Sequence, residues 1–270
     1  MAKSKWDWDA FRLAVIEAGI RGELTSEWRL ENPNTEPAHI LLDRIAEEKA
    51  ELVRTKQIKK EKPLPPVSDD DAPFEIPEGW EWTRIIEVAQ VIPGFSFKAS
   101  EYQAEGVRVI RISDFDEFEF NNKETVRYRF FDKMKKYQIF NGDILVPMTG
   151  SIGKNHFVQE LPETDCYLNQ RIAILRSILM SAQYNAVVLQ SNLTISRMRG
   201  AMKSTNGNIS KGDIENTLVP LPPLEEQKEI VRQLEVKLNA VQGLQDKLNE
   251  DLETAQTLLK AKLKEVFEKT

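Results

Sequence analysis

From Val231 onward the chain contains no proline, and steps of alternately three and four residues pick out Val231, Leu234, Leu238, Val241, Gln245, Leu248, Leu252, Ala255, Leu259, Lys262 and Val266. Nine of these eleven positions are apolar. A seam that recurs with a seven-residue period over five heptads predicts a helix made to pack in a coiled coil. About 45 residues at ~1.5 Å each give a rod of ~65 Å, and an apolar stripe along such a rod requires a partner. Pro222 and Pro223 suit the helix start, and Glu225 and Glu226 complement the positive end of its dipole. Gln245 and Lys262 interrupt the seam, which fixes register or orientation at some cost in stability.

The rest of the chain has a different texture. Residues 6–24 place Phe11, Val15 and Ala18 on helical spacing, with Leu13, Ile16 and Ile20 less regular, and predict a helix of about four turns. Residues 38–60 carry Ile40, Leu41, Ile45, Leu52 and Ile58 among Glu and Lys, an amphipathic pattern with one modest stripe. Five prolines (Pro63, Pro65, Pro66, Pro73, Pro77) and the acidic run Asp69 to Asp71 then predict an extended linker or strap. From residue 80 to about 216, short β-branched and aromatic runs (RIIEVAQVI, GVRVIRISDF, DILVPM, IGKNHFV, RIAILR) are separated by Gly, Asn and Asp, as in a strand-dominated mixed domain. One helix is expected inside it, over residues 181–202.

Composition narrows the functional classes. With 270 residues, 37 Lys+Arg against 43 Asp+Glu and 41% hydrophobic residues, the chain fits one or two water-soluble domains. No run approaches the ~20 apolar residues of a bilayer crossing, and the first residues lack a signal-peptide core, so a cytoplasmic location without membrane attachment is expected. The single cysteine, Cys166, makes no internal disulfide, and with only His39 and His156 beside it no metal is expected. A net charge of −6 argues against coating nucleic acid by bulk positive charge, so DNA binding would have to come from a local patch.

Several stretches carry a resemblance. Residues 208–235 (NISKGDIENTLVPLPPLEEQKEIVRQLE), 76–102 (IPEGWEWTRIIEVAQVIPGFSFKASEY), VRVIRISDF, NGDILVPMTGSIGKNHFV and CYLNQRIAILR together resemble the specificity (S) subunits of type I restriction-modification systems. Residues 22–52 and 58–82 are similar to the segment that precedes a target recognition domain in that family. The resemblance covers nearly the whole chain. It implies an α+β fold: a helical N-terminal extension with a Pro-rich linker (1–74), a strand-rich target recognition domain (75–216), and a long conserved helix for dimerisation and assembly (217–270). It also implies a non-catalytic protein that selects a bipartite site on double-stranded DNA and scaffolds the methyltransferase subunits, and also the helicase-nuclease restriction subunit. S-adenosylmethionine would be bound by the methyltransferase, and no cofactor by this chain. Typical members carry two recognition domains and two long helices. This chain has room for one of each, which implies a half-size form that pairs with a second copy, its 6–24 helix a remnant of the second helical region. The alternative is a coiled-coil regulatory protein that binds restriction-modification subunits without reading DNA.

No catalytic residue is identified. No GxGxxG follows a strand, Asn32-Pro33-Asn34-Thr35 lacks the second proline and the aromatic residue of an amino-methyltransferase motif, and Gly150-Ser151-Ile152-Gly153-Lys154 lacks the first glycine and the Ser/Thr of a phosphate loop. Asp114, Asp116, Glu117 and Glu119 read as a solvated face rather than a metal site.

Three stretches are candidates for DNA contact. In the Gly-flexible loop, Thr149, Ser151, Lys154 and Asn155 offer hydroxyl, ammonium and amide groups to phosphates or base edges, or else form an ordinary hairpin turn. In residues 123–136, Lys123, Arg127, Arg129, Lys133, Lys135 and Lys136 alternate with aromatics, with Arg127 and Arg129 on one face; they form an anion-binding surface or the solvated edge of a sheet. In residues 197–211, Arg199, Lys203, Asn206, Asn208 and Lys211 make a donor-rich loop suited either to the DNA backbone or to a partner subunit. Asn169, Gln170 and Arg171 read as buried hydrogen-bonding residues.

Overall fold

The computed structural model describes residues 8–62, 64, 65, 67–201 and 207–267. It divides into two compact units, Met1–Val231 and Arg232–Thr270. The first takes in the helical extension, the strand-rich domain and the start of the long helix.

The amino-terminal helix α1 spans Trp8–Ile20 and buries Val15, Ile16 and Ile20. A short helix α2 (Ser26–Glu31), not expected from the sequence, follows, and then α3 (Ala38–Arg54), which buries Ala38, Leu41 and Ile45. α3 ends six residues earlier than its pattern predicts. Lys56 turns left-handed (φ 61°), the Lys56 amide bonds the Val53 carbonyl, and the Gln57 amide bonds the Leu52 carbonyl, the paired closure that stops a helix. The proline-rich stretch is a strap. Phe74 packs edge-on to Trp82, Arg21 lies over the Phe74 ring at 4.3 Å, and Arg84 donates to the Pro65 carbonyl at 2.6 Å.

Three sheets follow. β1 (Glu81–Arg84) pairs antiparallel with β9 (Leu218–Leu221). A single helical turn, α4 (Ile85–Val88), then breaks the apolar run expected as one strand, and β2 (Ala89–Pro93) enters a four-stranded antiparallel sheet ordered β2-β8-β5-β6. Its other members are β5 (Ile144–Pro147), β6 (His156–Phe157) and β8 (Ile172–Ser177). The third sheet has β3 (Val107–Ile110) between antiparallel β4 (Val126–Tyr128) and parallel β7 (Cys166–Leu168). Side chains alternate across the β3 and β7 strands: Ile110, Cys166 and Leu168 enter a core with Leu145, Ile172 and Ile174, while Val109 and Tyr167 enter an aromatic core with Phe97, Tyr128 and Met134. Burial pushes the Cys166 thiol up to about 11, so it stays protonated at neutral pH.

The helix expected over 181–202 is two helices, α5 (Ala182–Leu189) and α6 (Asn192–Gly200). The break is chemical: the buried Ser191 hydroxyl accepts from the Thr194 amide and so begins a new helix. α7 (Lys211–Glu215) starts on a capping box between Ser210 and Asp213. The last helix, α8, runs Leu224–Phe267. Its first turn carries Glu226, only 1% exposed, which accepts from Thr25 Oγ1 at 2.6 Å, from Arg29 Nη1 at 2.5 Å and from Trp80 Nε1 at 2.8 Å. Next to it, Gln227 accepts from the Ser181 amide and donates to the Pro222 carbonyl, each at 2.9 Å. One helical turn thereby ties together the extension, the strap end and the strand-rich domain.

Along the seam, Val231, the last residue of the first unit, is buried. In the second unit Leu234 is buried and Leu238 and Val241 are half-buried, but farther on the seam is open, with Leu248, Leu252 and Leu259 57%, 51% and 60% exposed and Ala255 exposed too. Leu244 and Leu258, one step off the seam, are exposed at 67% and 66% and widen the stripe. The side chain of Val266 lies outside the described residues. No described helix is long and apolar enough to cross a membrane.

Two stability experiments follow from these contacts. Replacing Glu226 with Ala leaves Thr25, Arg29 and Trp80 donors without their acceptor and should cost about 3 kcal/mol or more in urea unfolding, with Glu226→Gln milder. His156 is buried against Phe120, with Nδ1 at 2.8 Å from the Asp116 carbonyl, and burial lowers its pKa from 6.5. Its neutral form therefore contributes stability that is whole above about 6.5 and is lost as pH falls through the lower folded value. His156→Phe should flatten that part of a melting-temperature profile against pH.

Candidate nucleic-acid interface

The β5–β6 loop is held from beneath. Ile152 and Asn155 point inward, Ile152 only 7% exposed and Asn155 fully buried, with Nδ2 of Asn155 donating to the Leu189 carbonyl at 2.9 Å. Asn155, expected among the DNA-contacting residues, is thus an anchor, because its side chain is buried and its Nδ2 is spent on the end of α5. Gly153 takes φ 97°, where a side chain would be strained and would press Ile195. Anchoring the inner side leaves the outer one displayed: Thr149 and Ser151 are half-exposed and Lys154 is exposed.

Two other segments join this loop through main-chain bonds. The Met148 carbonyl accepts from the Ile209 amide at 2.9 Å, and Thr149 bridges to Asn208, so Asn208 sits on the same rim. On α6, Arg199 reaches the Ile152 carbonyl at 3.4 Å, with the rest of its side chain exposed. On the other side, the Met148 amide donates to the Arg171 carbonyl at 2.8 Å. Gln170 and Arg171 are exposed on the β7–β8 turn, which corrects the expectation that they are buried; only Asn169 is half-buried, its Oδ1 accepting from the Arg171 amide. A short polar run between two apolar strands is a turn signal, and turn residues between buried strands face outward. Lys203 and Asn206, expected on this surface, lie outside the described residues.

The basic stretch 123–136 is less uniform than its alternation suggests. β4 covers only three residues, and Lys133, Lys135 and Lys136 sit on a 3-10 helix, Asp132–Tyr137. Arg127 does not face outward freely: it faces the buried Arg108 across the strands and bonds Glu163 at 2.7 Å and the Gly106 carbonyl at 3.0 Å. Lys135 pairs with Asp132 at 3.0 Å, and Lys136 lies over Tyr137. Lys123, Arg129 and Lys133 are exposed and carry no ion pair among the described residues, and Arg129 lines a groove with Phe95, Phe130 and Phe131. Lys211 is bound to Glu215 at 2.8 Å and lies 3.8 Å from Glu61.

Of the acidic residues 114–119 expected on a solvated face, Asp116 and Glu119 are exposed, Glu117 is half-buried and Asp114 is buried. Asp114 is buried and bonds Arg111 at 2.7 Å, Glu117 bonds Arg12 of α1 at 2.6 Å, and Asp116 accepts from the Phe118 and Glu119 amides, which hold its pKa below the usual carboxylate range. No group of three metal-ligating side chains gathers among the described residues.

The arrangement is a rim of hydroxyl, amide and guanidinium groups on turns, carried by two sheets with apolar cores. Such a surface offers hydrogen-bond donors and acceptors together with positive charge, and among the described residues it brings no nucleophile and base into contact. Residues 77–254 match the type I restriction modification DNA specificity domain, so the chain belongs to that family. It is similar to the specificity subunit of the type I restriction enzyme EcoAI of Escherichia coli, 32% identical over 84% of this chain and 39% of the relative. With the EcoEI specificity subunit of the same organism it shares 29% identity, over 91% of this chain and 43% of the relative. The chain therefore spans about two-fifths of these relatives. A chain in a solved structure of a type I R-M system superposes over 80% of this chain and 54% of its own, with TM-score 0.50 and 22% identity, a likeness of fold.

Rim geometry depends on Gly94. A Cβ there would fall 2.2 Å from the Asn169 carbonyl oxygen, which is backbone and does not yield cheaply. Gly94→Ala should therefore displace the 169–171 turn and lower the melting temperature, while Gly142→Ala, with open space around its Cβ position but φ 91°, should cost only local strain.

Proposed function

We propose that this chain selects the DNA sequence for a type I restriction-modification complex without catalysing a reaction itself. The observation that carries the reading is the convergence of Thr149, Ser151 and Lys154, of Gln170 and Arg171, and of Arg199 and Asn208 on one rim, joined through the two backbone bonds of Met148. Lys154, Arg171, Arg199 and, farther along, Arg129 would hold phosphates. Thr149, Ser151, Gln170 and Asn208 would hydrogen-bond base edges in the major groove. Lys123 and Lys133 would add to the phosphate contacts, whereas Arg127 acts through its structural bond to Glu163.

The open stripe of α8 supports the second half of the reading, pairing of this helix with that of a second copy or with an equivalent helix of another specificity subunit. Exposed leucines at Leu248, Leu252 and Leu259 are the kind of surface that paired helices remove from water. Two paired chains would read two half-sites in inverted orientation with an unread spacer. Methyltransferase subunits would bring S-adenosylmethionine and flip the target adenine into their own pocket, and a restriction subunit would join the same assembly.

Selection from a pool of randomised duplexes by the full chain together with its methyltransferase subunit should enrich a defined sequence. Thr149→Ala, Gln170→Ala and Asn208→Ala should each relax preference at particular base pairs, by about 1–3 kcal/mol per lost contact, whereas Arg171→Gln should weaken binding to all sequences alike. Failure of the wild-type chain to enrich any sequence would remove the reading. Separately, Leu248→Asp with Leu252→Asp should convert a sedimenting dimer to monomer without lowering the melting temperature of the first unit.

A further inference from the structure

The end of α3 and the start of the strap make a further cationic surface. A groove of 820 Å³ is lined by Lys56, Lys59, Lys60 and Lys62 on one side and by Lys136 on the other, with Ile92, Pro93 and Gly94 of β2 between them. It also contains two carboxylates, and both are engaged. Glu61 pairs with Lys49 at 3.3 Å and lies 3.8 Å from Lys211, while Glu215 pairs with Lys211 at 2.8 Å. Lys56, Lys59, Lys60 and Lys62 are exposed and have no ion pair among the described residues, and Lys136 has only the Tyr137 ring. Six lysines thus line one concavity in a chain of net charge −6, and five of them, all but Lys211, have no ion pair among the described residues.

Their placement is built rather than incidental. The left-handed Lys56 turns the chain off α3, and Lys49, which donates to the Ile86 carbonyl and pairs with Glu61, fastens the lysine segment against α4. Mutual repulsion among unpaired ammoniums is relieved by a polyanion with regularly spaced charge. The groove also continues the rim. Gly94, on its wall, abuts the Leu168 and Asn169 backbone, and the Gln170 amide bonds the Phe95 carbonyl, so the groove ends where the exposed 169–171 turn begins.

We infer that this lysine groove holds the phosphate backbone of the same duplex, flanking the bases read at the rim and contributing affinity without sequence preference. The inference rests on the DNA-reading function proposed above and extends the contact to the segment ahead of the recognition domain. Lysine is suited to this role because a flexible point charge follows phosphates but makes no fixed, forked contact with a base.

The test compares the full chain with a Lys59→Gln/Lys60→Gln/Lys62→Gln variant by fluorescence anisotropy over a salt series, on a mixed-sequence duplex and on a duplex enriched by the wild type. The expected result is roughly tenfold to a hundredfold weaker binding to both duplexes, an unchanged ratio between them, and a log-affinity against log-salt slope lower by about two to three. The corresponding triple Arg variant should restore the slope. Unchanged affinity and slope, with the wild type still preferring its enriched duplex, would overturn the inference and leave the DNA-reading function standing. So would a variant that binds DNA normally but no longer joins a methyltransferase subunit, since the groove would then serve a protein. Absence of DNA preference in the wild type itself would remove both. The replaced side chains are exposed, so melting curves of the variants should match the wild type.

Discussion

A buried carboxylate holds the first unit together. Glu226, in the opening turn of the long helix, accepts from Thr25, Arg29 and Trp80, residues drawn from the helical extension and from the end of the strap. A carboxylate with so little water around it is tolerable only when its oxygens are filled by donors, and here one of the donors is a cation. The same turn places Gln227 against the start of α5, and β9 just before it completes a sheet with β1. Segments separated by some two hundred residues are thereby fixed around one helix start. The start of the long helix is fixed by its own chain, while Leu248, Leu252 and Leu259 farther along it are exposed.

The recognition surface depends on that frame at one remove. Its loops are short, those at 149–154 and 207–209 bend on glycines, and each is pinned by a backbone bond or a buried side chain: Met148 to Arg171 and Ile209, Asn155 to Leu189, Asn169 against Gly94. Apolar cores beneath supply rigidity, and the polar groups on top can change without disturbing them. This separation of scaffold from displayed polar groups would let an acidic chain engage DNA as proposed: such a contact requires only a few placed cations, not a positive surface overall.

Much of the architecture was legible in the sequence. The seam of α8 follows from its period alone, and the strand-rich texture of residues 80–216 follows from β-branched runs between turn residues. The errors arose where a local interaction overrode a pattern. Ser191 capped a new helix inside an apolar stretch, Lys56 closed α3 early, and a turn of helix at Ile85–Val88 split one apolar run. For the site, residue type identified loop 149–154 but could not show that Asn155 faces inward or that Arg127 is spent on Glu163, because both depend on partners distant in sequence. Glu226 was read as a charge that suits a helix dipole, and its burial could not be anticipated without Arg29 and Trp80 in place. Gln170 and Arg171 sit between apolar strands, a setting that suggests burial, but a turn between such strands faces outward.

The central claim is that duplex DNA lies across the rim formed by the loop 149–154, the turn 169–171 and Asn208. Photo-crosslinking of the full chain to a duplex with photoreactive bases, followed by mass-spectrometric mapping of the attached peptides, tests it most directly. The account predicts attachments within residues 148–154, 169–171 and 207–209. Attachments confined to other surfaces, such as the open stripe of α8, would contradict it.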